Sequence, residues 1–315
     1  MVNSALCIVH FFVSLQPKVL IMEHRRLRFA LFGNIYQARK SASIQKVLSC
    51  ISNYGAELYV DMEYYYFLKD NQRLDVNATK IFTGDEFDAD FVISMGGDGT
   101  FLKAASRVGR KDIPILGVNM GRLGFLADIS PDDIERCLTA LHEDDYAIES
   151  RALIQVEADG EPLGNLSYAL NDVAILKRDT ASMISIRASI NGQYLNTYQA
   201  DGLVVSTPTG STAYSLSNGG PILVPGPKVV SMTAVAPHSL NVRPIVLADS
   251  SVIELDVESR SHSFLVAIDG RSEKCKEGTR LMLRRAPFDI KVVKRSDHRY
   301  FNTLREKMMW GADTR

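Results

Sequence analysis

An α/β first half built on a parallel sheet, followed by a β-rich and mostly antiparallel second half, is the fold that three observations predict. First, Phe91-Val92-Ile93-Ser94-Met95 is a short apolar run leading into Gly96-Gly97-Asp98-Gly99-Thr100, with a helix expected from Phe101 onward. Second, Pro114-Ile115-Leu116-Gly117-Val118-Asn119 repeats this pattern one helix later and ends in another glycine-punctuated loop, Met120-Gly121-Arg122-Leu123-Gly124-Phe125-Leu126. Buried strands that end in glycine turns and alternate with helices form βαβ units, with ligand loops at the strand carboxyl ends. Third, the pattern changes near Tyr146. Ala152-Leu153-Ile154-Gln155-Val156-Glu157-Ala158, Ile184-Ser185-Ile186-Arg187-Ala188-Ser189-Ile190, Val252-Ile253-Glu254-Leu255-Asp256-Val257 and Phe264-Leu265-Val266-Ala267-Ile268 are largely alternating strands, and Asp159-Gly160 and Asn191-Gly192 are hairpin turns.

The chain has 315 residues, enough for two domains with a sizeable core. It is 46% hydrophobic and 23% charged, with a formal net charge of −1, and nothing in that balance points to a general nucleic-acid binder. The four cysteines, Cys7, Cys50, Cys137 and Cys275, form no CxxC pair, so they fit free thiols in a reducing cytoplasm better than a zinc or redox motif. The apolar stretch at residues 5–15 is too short to span a membrane, and it lacks the preceding positive charge of a secretory signal. A cytoplasmic protein with no membrane or nucleic-acid partner is therefore expected. Residues 1–21 read either as an extension outside the fold, with Met22 as the start, or as an N-terminal arm. The expected units are 22–144 together with 289–315, and 145–288.

In chain order, residues 27–32 form a first strand and Gly33-Asn34 its turn. Residues 41–54 have helical spacing, with Ile44, Val47, Leu48 and Ile51 on one face and Gly55 as the cap. Glu57-Leu58-Tyr59-Val60 is a second strand, residues 64–68 are an aromatic helical patch, and residues 69–90 are polar and loop-like. Ser130 and Pro131 open a helix that runs to His142, as N-cap and first helical residue. After Ile290 come a short strand and a charged helical tail over residues 300–310.

The chemistry centres on the Gly96-Gly97-Asp98-Gly99-Thr100 turn. Strand, glycine turn and helix N-terminus make a phosphate site, where backbone N–H groups and the helix dipole face an anion. Asp98 conflicts with that reading, because a negative charge there repels phosphate unless it binds a metal, takes a proton or holds a hydroxyl. A second constellation follows Asp201: Thr207-Pro208-Thr209-Gly210-Ser211-Thr212-Ala213-Tyr214-Ser215-Leu216-Ser217 is loaded with hydroxyls and glycine. Such density suits phosphate, ribose or base recognition, and it equally suits a loop making its own turns. It is not a Walker A motif, since the Gly-Lys-Ser/Thr ending is missing. Asn171-Asp172 reads as a turn after an apolar run, and Asp269-Gly270 as a hairpin turn. His238 reads either way, as a loop histidine or a site residue. The residues alone thus support a two-domain protein for a nucleotide or phosphate ligand, including a phosphotransferase.

Together these segments resemble the NAD kinase family. The Gly96–Thr100 turn is similar to its first signature, Asn171-Asp172 to its Asn-Glu/Asp pair, and Asp201 through Pro221 to its glycine-rich second signature. Ala236-Pro237-His238-Ser239-Leu240 and Arg243-Pro244-Ile245-Val246 match in order and spacing, so the resemblance covers roughly residues 25 to 300. It implies a Rossmann-like N-terminal domain, a β-rich NAD-binding C-terminal domain, a site in the cleft between them, and a C-terminal segment that returns to the first domain. It implies phosphorylation of the 2′-hydroxyl of the adenosine ribose of NAD, with ATP as donor and a divalent cation, usually Mg²⁺, and a homo-oligomer, tetramer or dimer. Asp98 falls on the family's general base. The NAD contacts carry over to Asp98, Gly99, Asn171, Asp172, Asp201, Thr209, Thr212, Ala213, Tyr214, Ser215, Leu216, Ser217 and Ala236. Thr212 and Asn171 fall toward the adenosine half, Asp201 toward the nicotinamide half. Lys103, Ser182, Gln199 and Arg271 are secondary candidates: Lys103 is also a plain helix lysine, Ser182 and Gln199 sit at variable positions, and Arg271 stands where many members carry Gln or His. The rivals are a lipid kinase of the diacylglycerol-kinase-like group, which needs an apolar acceptor pocket, a phosphofructokinase-type enzyme, which wants clustered arginines where Arg122 and Arg243 stand isolated, and a non-catalytic NAD(H)-sensing module.

Overall fold

The computed structural model describes residues 26–36, 41–121, 123–164, 167–179, 182–295 and 300–309. The expected extension at 1–21, Cys7 and Arg122 lie outside them. In the first half the strands are β1 Arg28–Gly33, β2 Glu57–Asp61, β3 Lys80–Phe82, β4 Phe91–Gly96 and β5 Ile115–Asn119. Between and after them run the helices α1 Ser41–Asn53, α2 Met62–Tyr66, α3 Asp98–Val108 and α4 Ile134–His142. The second half holds β6 Tyr146–Ala158, β7 Glu161–Pro162, β8 Tyr168–Ala169, β9 Asp172–Lys177, β10 Ile184–Ile190, β11 Gln193–Ala200, β12 Gly202–Ser206, the short helix α5 Tyr214–Ser217, β13 Val229–Val235, β14 Ile245–Ala248, β15 Ile253–Glu258, β16 Ser263–Ile268, β17 Arg271–Lys276 and β18 Arg280–Arg295. Helix α6, Tyr300–Met308, closes the described chain.

The first-half strands are parallel, in spatial order β3-β2-β1-β4-β5. Every residue of β4 and β5 is buried, as continuous apolar runs covered on both faces require. Helix α1 buries Ile44, Val47, Leu48 and Ile51, the predicted face, and Gly55 after it has φ +63°. Ser130 caps its helix by accepting from the Asp132 N–H. A second sheet, β14-β13-β12-β9-β16-β17, is antiparallel throughout. Asp159-Gly160, Asn191-Gly192 and Asp269-Gly270 all take positive φ at both turn residues, the backbone of tight two-residue hairpins.

The two halves share strands. β18 pairs with β15 through Arg280–Leu283 and then runs parallel to β5 at Val292, with an irregularity between Arg285 and Asp289, while β6 follows it along its length. The return of the C-terminal segment to the first half is thus one continuous strand, and residue 288 falls inside it. Two expectations are corrected. Residues 69–90 contain β3, whose Lys80 and Ile81 are exposed at the sheet edge, too short a strand for periodicity to register. The helix after β4 starts at Asp98, not Phe101, so the carboxylate belongs to the first helical turn. Cys50, Cys137 and Cys275 are free thiols, and among the described residues no helix is long and apolar enough to cross a membrane.

Candidate active site

The strand order fixes where a ligand loop belongs. From β1 the chain moves outward to β2, and from β4 it moves the other way to β5, so the direction reverses between β1 and β4. In such sheets the crevice outside the carboxyl ends at that reversal is the ligand site. Here those ends are Gly33-Asn34 and Gly96-Gly97. A cavity of about 340 Å³ sits there, lined by Gly33, Asn34, Tyr36, Glu63, Gly97, Gly99, Thr100 and Lys103, among others. Gly33 admits a close approach: a Cβ on it would lie 2.0 Å from the buried Tyr64 ring. Lys103 reaches this cavity from α3 and pairs with Glu63 at 2.7 Å.

Asp98 does not point into an open phosphate cradle. Its Oδ1 accepts from the N–H groups of Leu126 and Ala127, and its Oδ2 from Phe125 N–H, all at 3.0 Å. Gly124 makes this possible, since a Cβ there would lie 2.0 Å from Asp98 Oδ1. Lys307 Nζ on α6 is a fourth donor, 3.3 Å from Oδ2. Burial pushes the carboxyl up, but the N–H groups and the Lys307 ammonium outweigh it and hold Asp98 below the usual carboxylate range. The group is therefore an anion at neutral pH, held by the N–H groups of the glycine loop after β5 and by the Lys307 ammonium, which eases the conflict posed by a charge in a phosphate turn.

The second constellation gathers at one end of the antiparallel sheet, where β9 begins and β12 and β16 end. The Asp269 carboxylate, at a hairpin turn, accepts from the N–H groups of Leu170, Asn171 and Asp172 at 2.9, 2.7 and 3.3 Å. Thr207 Oγ1 donates to Leu170 O at 2.6 Å, and Thr207 N–H to Asn171 O at 2.9 Å. The Asp172 carboxylate accepts from the Tyr214 N–H at the start of α5. Burial, then the facing Asp269 charge, push the Asp172 carboxyl up to about 7 against that bond. Burial pushes Asp269 up as well, though its three backbone bonds favour its charged form. The Asn171 side-chain oxygen is buried without a hydrogen-bond partner, a costly state that a ligand donor relieves.

Many of the hydroxyls are structural. Ser211 Oγ bonds Pro208 O and the Leu223 backbone, and Ser215 Oγ bonds Thr233 Oγ1. Thr212, Ala213 and Leu216 are half-buried, and Tyr214 and Ser217 are exposed at the surface of the same loop. Gly210 is required by contact: a Cβ would lie 2.1 Å from Asn171 O, and backbone atoms cannot swing aside as a side-chain tip does. Gly210→Ala is expected to cost roughly 1–3 kcal/mol, the usual penalty for overpacking, read as a lower urea midpoint at unchanged slope. An unchanged midpoint would show that the 207–217 loop is not seated on Asn171.

The two constellations share one apolar floor, in which Phe101 of α3, Leu126 beside the Asp98 donors and Leu170 beside Asn171 belong to a single buried cluster. Arg151 on β6 bridges toward the second: it is 6% exposed, and its guanidinium reaches Thr209 Oγ1 at 3.4 Å and the Glu149 carboxylate. Asp201 and Ala236 lie elsewhere, at the opposite end of β12, about 17 Å away for five residues of strand. There Asp201 pairs with Lys177 at 2.7 Å, and Ala236 is held at φ +43°, a strained conformation for a residue with a Cβ. Ser182 and Gln199 line a separate cavity of about 540 Å³ with Arg260, His262 and Glu277. Arg271 follows the Asp269-Gly270 turn, close enough for its charge to act on Asp269. Sequence reading missed the anchoring carboxylate of Asp269, because Asp-Gly is also the commonest hairpin turn. It also missed Arg151 and Lys307, which carry no motif.

Residues 42–146 match the ATP-NAD kinase N-terminal domain family, and residues 170–295 match the ATP-NAD kinase C-terminal domain family. An NAD kinase of Bacteroides fragilis is 60% identical over 289 residues, which is 92% of this chain and 100% of that protein. An NAD kinase of Porphyromonas gingivalis is 44% identical, covering 91% of this chain and 99% of its own. Among solved structures, the fold is similar to yeast NADH kinase complexed with NADH, at TM-score 0.82 and 21% identity, covering 92% of this chain and 89% of that one. It is also similar to an NAD kinase from Archaeoglobus fulgidus in complex with ATP, at TM-score 0.71 and 24% identity, covering 90% and 99%.

Proposed function

The chain belongs to the NAD kinase family, and on that premise we propose that it transfers the γ-phosphoryl group of ATP to the 2′-hydroxyl of the adenosine ribose of NAD, giving NADP, with Asp98 as general base. The observation that carries the role of Asp98 is its position. An ionised carboxylate stands in the first turn of α3, beside the cavity at the β1–β4 reversal. The hydroxyl oxygen attacks the γ-phosphorus while its proton passes to Asp98, and the bond from that phosphorus to the β–γ bridging oxygen breaks to release ADP. A carboxylate below its ordinary range is a weak base, which suits a loose phosphoryl transfer where the proton leaves late. Asn171, Asp172 and the Thr209–Ser217 residues then hold the acceptor, and Gly97, Gly99 and Lys103 face the donor phosphates.

A divalent cation, Mg²⁺, is inferred as a companion of the nucleotide. Among the described residues no three His, Cys, Asp or Glu side chains come together as ligands, and Mg²⁺ is commonly held by phosphates with one or two carboxylates. There it would neutralise phosphate charge. A homo-oligomer, dimer or tetramer, is part of the same proposal, with Leu240, 88% exposed, as a residue that a partner subunit would cover. The free thiols fit a cytoplasmic enzyme.

The test is purified protein with NAD, ATP and Mg²⁺, followed for NADP and ADP. Equal amounts of both are expected. NAD binding without NADP formation would turn the reading to an NAD(H)-sensing module.

A further inference from the structure

A carboxylate offers about four lone-pair positions. In Asp98, three are taken by the N–H groups of Phe125, Leu126 and Ala127, and the fourth holds the Lys307 ammonium. The three backbone donors sit on a loop whose Leu126 is 2% exposed and whose Gly124 fits against the carboxylate itself. They cannot leave without rebuilding the loop. Lys307 can. Its side chain is 31% exposed, and its bond to Asp98 is the longest of the four. It arrives on α6, a nine-residue helix that buries only Thr303 and Leu304 among its described side chains. A helix that short has little stability of its own, and one so lightly docked opens at low cost.

The other contacts of α6 lead to the same place. Lys307 lies 4.6 Å over the Phe125 ring, and Tyr300 packs against Phe125 with ring centroids 6.3 Å apart. Tyr300 is also near enough to feel the charge of Arg151, the residue that reaches Thr209. The helix therefore rests on Phe125, beside the Asp98 donors, and its first residue comes near Arg151.

We propose that α6 is a displaceable latch on the acceptor seat: Lys307 occupies the one position of Asp98 that the acceptor hydroxyl must take, and substrate binding exchanges the ammonium for the hydroxyl. This rests on the reading of Asp98 as the group that receives the hydroxyl hydrogen. The latch lowers apparent affinity for the acceptor by the strength of one partly exposed ion pair, and it keeps the carboxylate satisfied when no acceptor is present. The groups that face Asp98 are the three N–H donors and Lys307, and Phe125 supplies the ring on which the ammonium rests.

The test is a binding cycle, with NAD titrated calorimetrically in the absence of ATP into the wild type, Lys307→Met, Asp98→Asn and the double variant. Lys307→Met is expected to tighten NAD binding by about 2- to 5-fold, the range for an exposed ion pair, and the gain is expected to vanish in the Asp98→Asn background. Weaker or unchanged binding by Lys307→Met, or an equal gain in both backgrounds, would overturn the latch. Amide hydrogen exchange on the wild type gives a second readout: exchange across residues 300–308 rises when NAD is added, and slower or unchanged exchange also overturns it. Both readouts are independent of turnover. An Asp98→Asn enzyme that still makes NADP removes the base role, while the binding cycle judges the latch.

Discussion

Asp98→Asn lowers kcat for NADP formation by about 10²- to 10⁴-fold, the usual contribution of a positioned general base, while NAD affinity stays within a few-fold of wild type. Proton inventory sets this expectation: the acceptor hydroxyl must lose its proton as it attacks, and the carboxamide cannot take it. The substitution also has a structural cost. Asp98 accepts from Phe125, Leu126 and Ala127 N–H groups, and an Asn side chain presents an NH₂ group to at least one of them. Two donors facing each other cost about 1–3 kcal/mol, so the variant is less stable although folded, and its rate is to be measured well below its unfolding transition. A variant within about threefold of the wild-type rate would end the base assignment. The pH profile supplies a second check. Asp98 is held below the ordinary carboxylate range, so it stays ionised down to acidic pH. Any fall in kcat as pH drops from 8 to 6 belongs to another group.

The fold was legible where burial on two faces leaves long apolar runs. β4, β5 and the buried face of α1 follow directly from such runs, and the glycine turns at Gly33 and Gly96-Gly97 mark where the sheet reverses. Edge elements were not legible, because a three-residue strand such as Lys80–Phe82 with two exposed residues has no period to detect. In the candidate site, the residues at strand ends stood out because Gly, Asn and Asp there depart from the apolar pattern. What escaped was partnership. Asp98 reads as a lone carboxylate in sequence, yet its meaning comes from N–H groups of residues 125–127 and an ammonium at position 307. Backbone donors leave no mark in side-chain identity. Asp269 was hidden for a different reason: an Asp-Gly turn satisfies local hairpin rules by itself, and only the sheet register, with Val173 opposite Ile268, brings its carboxylate to Asn171. The hydroxyl-rich loop was legible as a candidate site but not in its division of labour, since Thr207, Ser211 and Ser215 hold the loop together.

Asp172→Asn stabilises the protein at pH 8 by about 4 kcal/mol relative to wild type, and by close to nothing at pH 4. The Asp172 carboxyl is pushed from the ordinary 3.8 up to about 7, by burial and by the facing Asp269. Because the folded-state value is raised, the folded protein binds more protons than the unfolded chain between pH 4 and 7. This group's contribution to stability is therefore fully present below pH 4 and is lost as pH rises through about 7. Each tenfold difference in proton affinity between folded and unfolded protein corresponds to about 1.36 kcal/mol, which sets the scale of the gain. Asparagine keeps the oxygen that accepts from Tyr214 N–H and removes the charge facing Asp269. Urea unfolding of both proteins at pH 4, 6 and 8 measures it, and the difference between them cancels the titrating groups that do not face Asp172. A difference that does not grow with pH would show that Asp172 is ionised without strain. The same substitution is expected to weaken NAD binding at pH 8 by about tenfold or more, because a charged acceptor for a ribose hydroxyl is worth about 1.5–3 kcal/mol. For the same reason, wild-type affinity for NAD rises as pH increases from 6 to 8, whereas the variant's does not. On the proposed assignment the strained carboxylate pair holds stability in reserve against binding: the charge that burial disfavours is the one that would hold the acceptor.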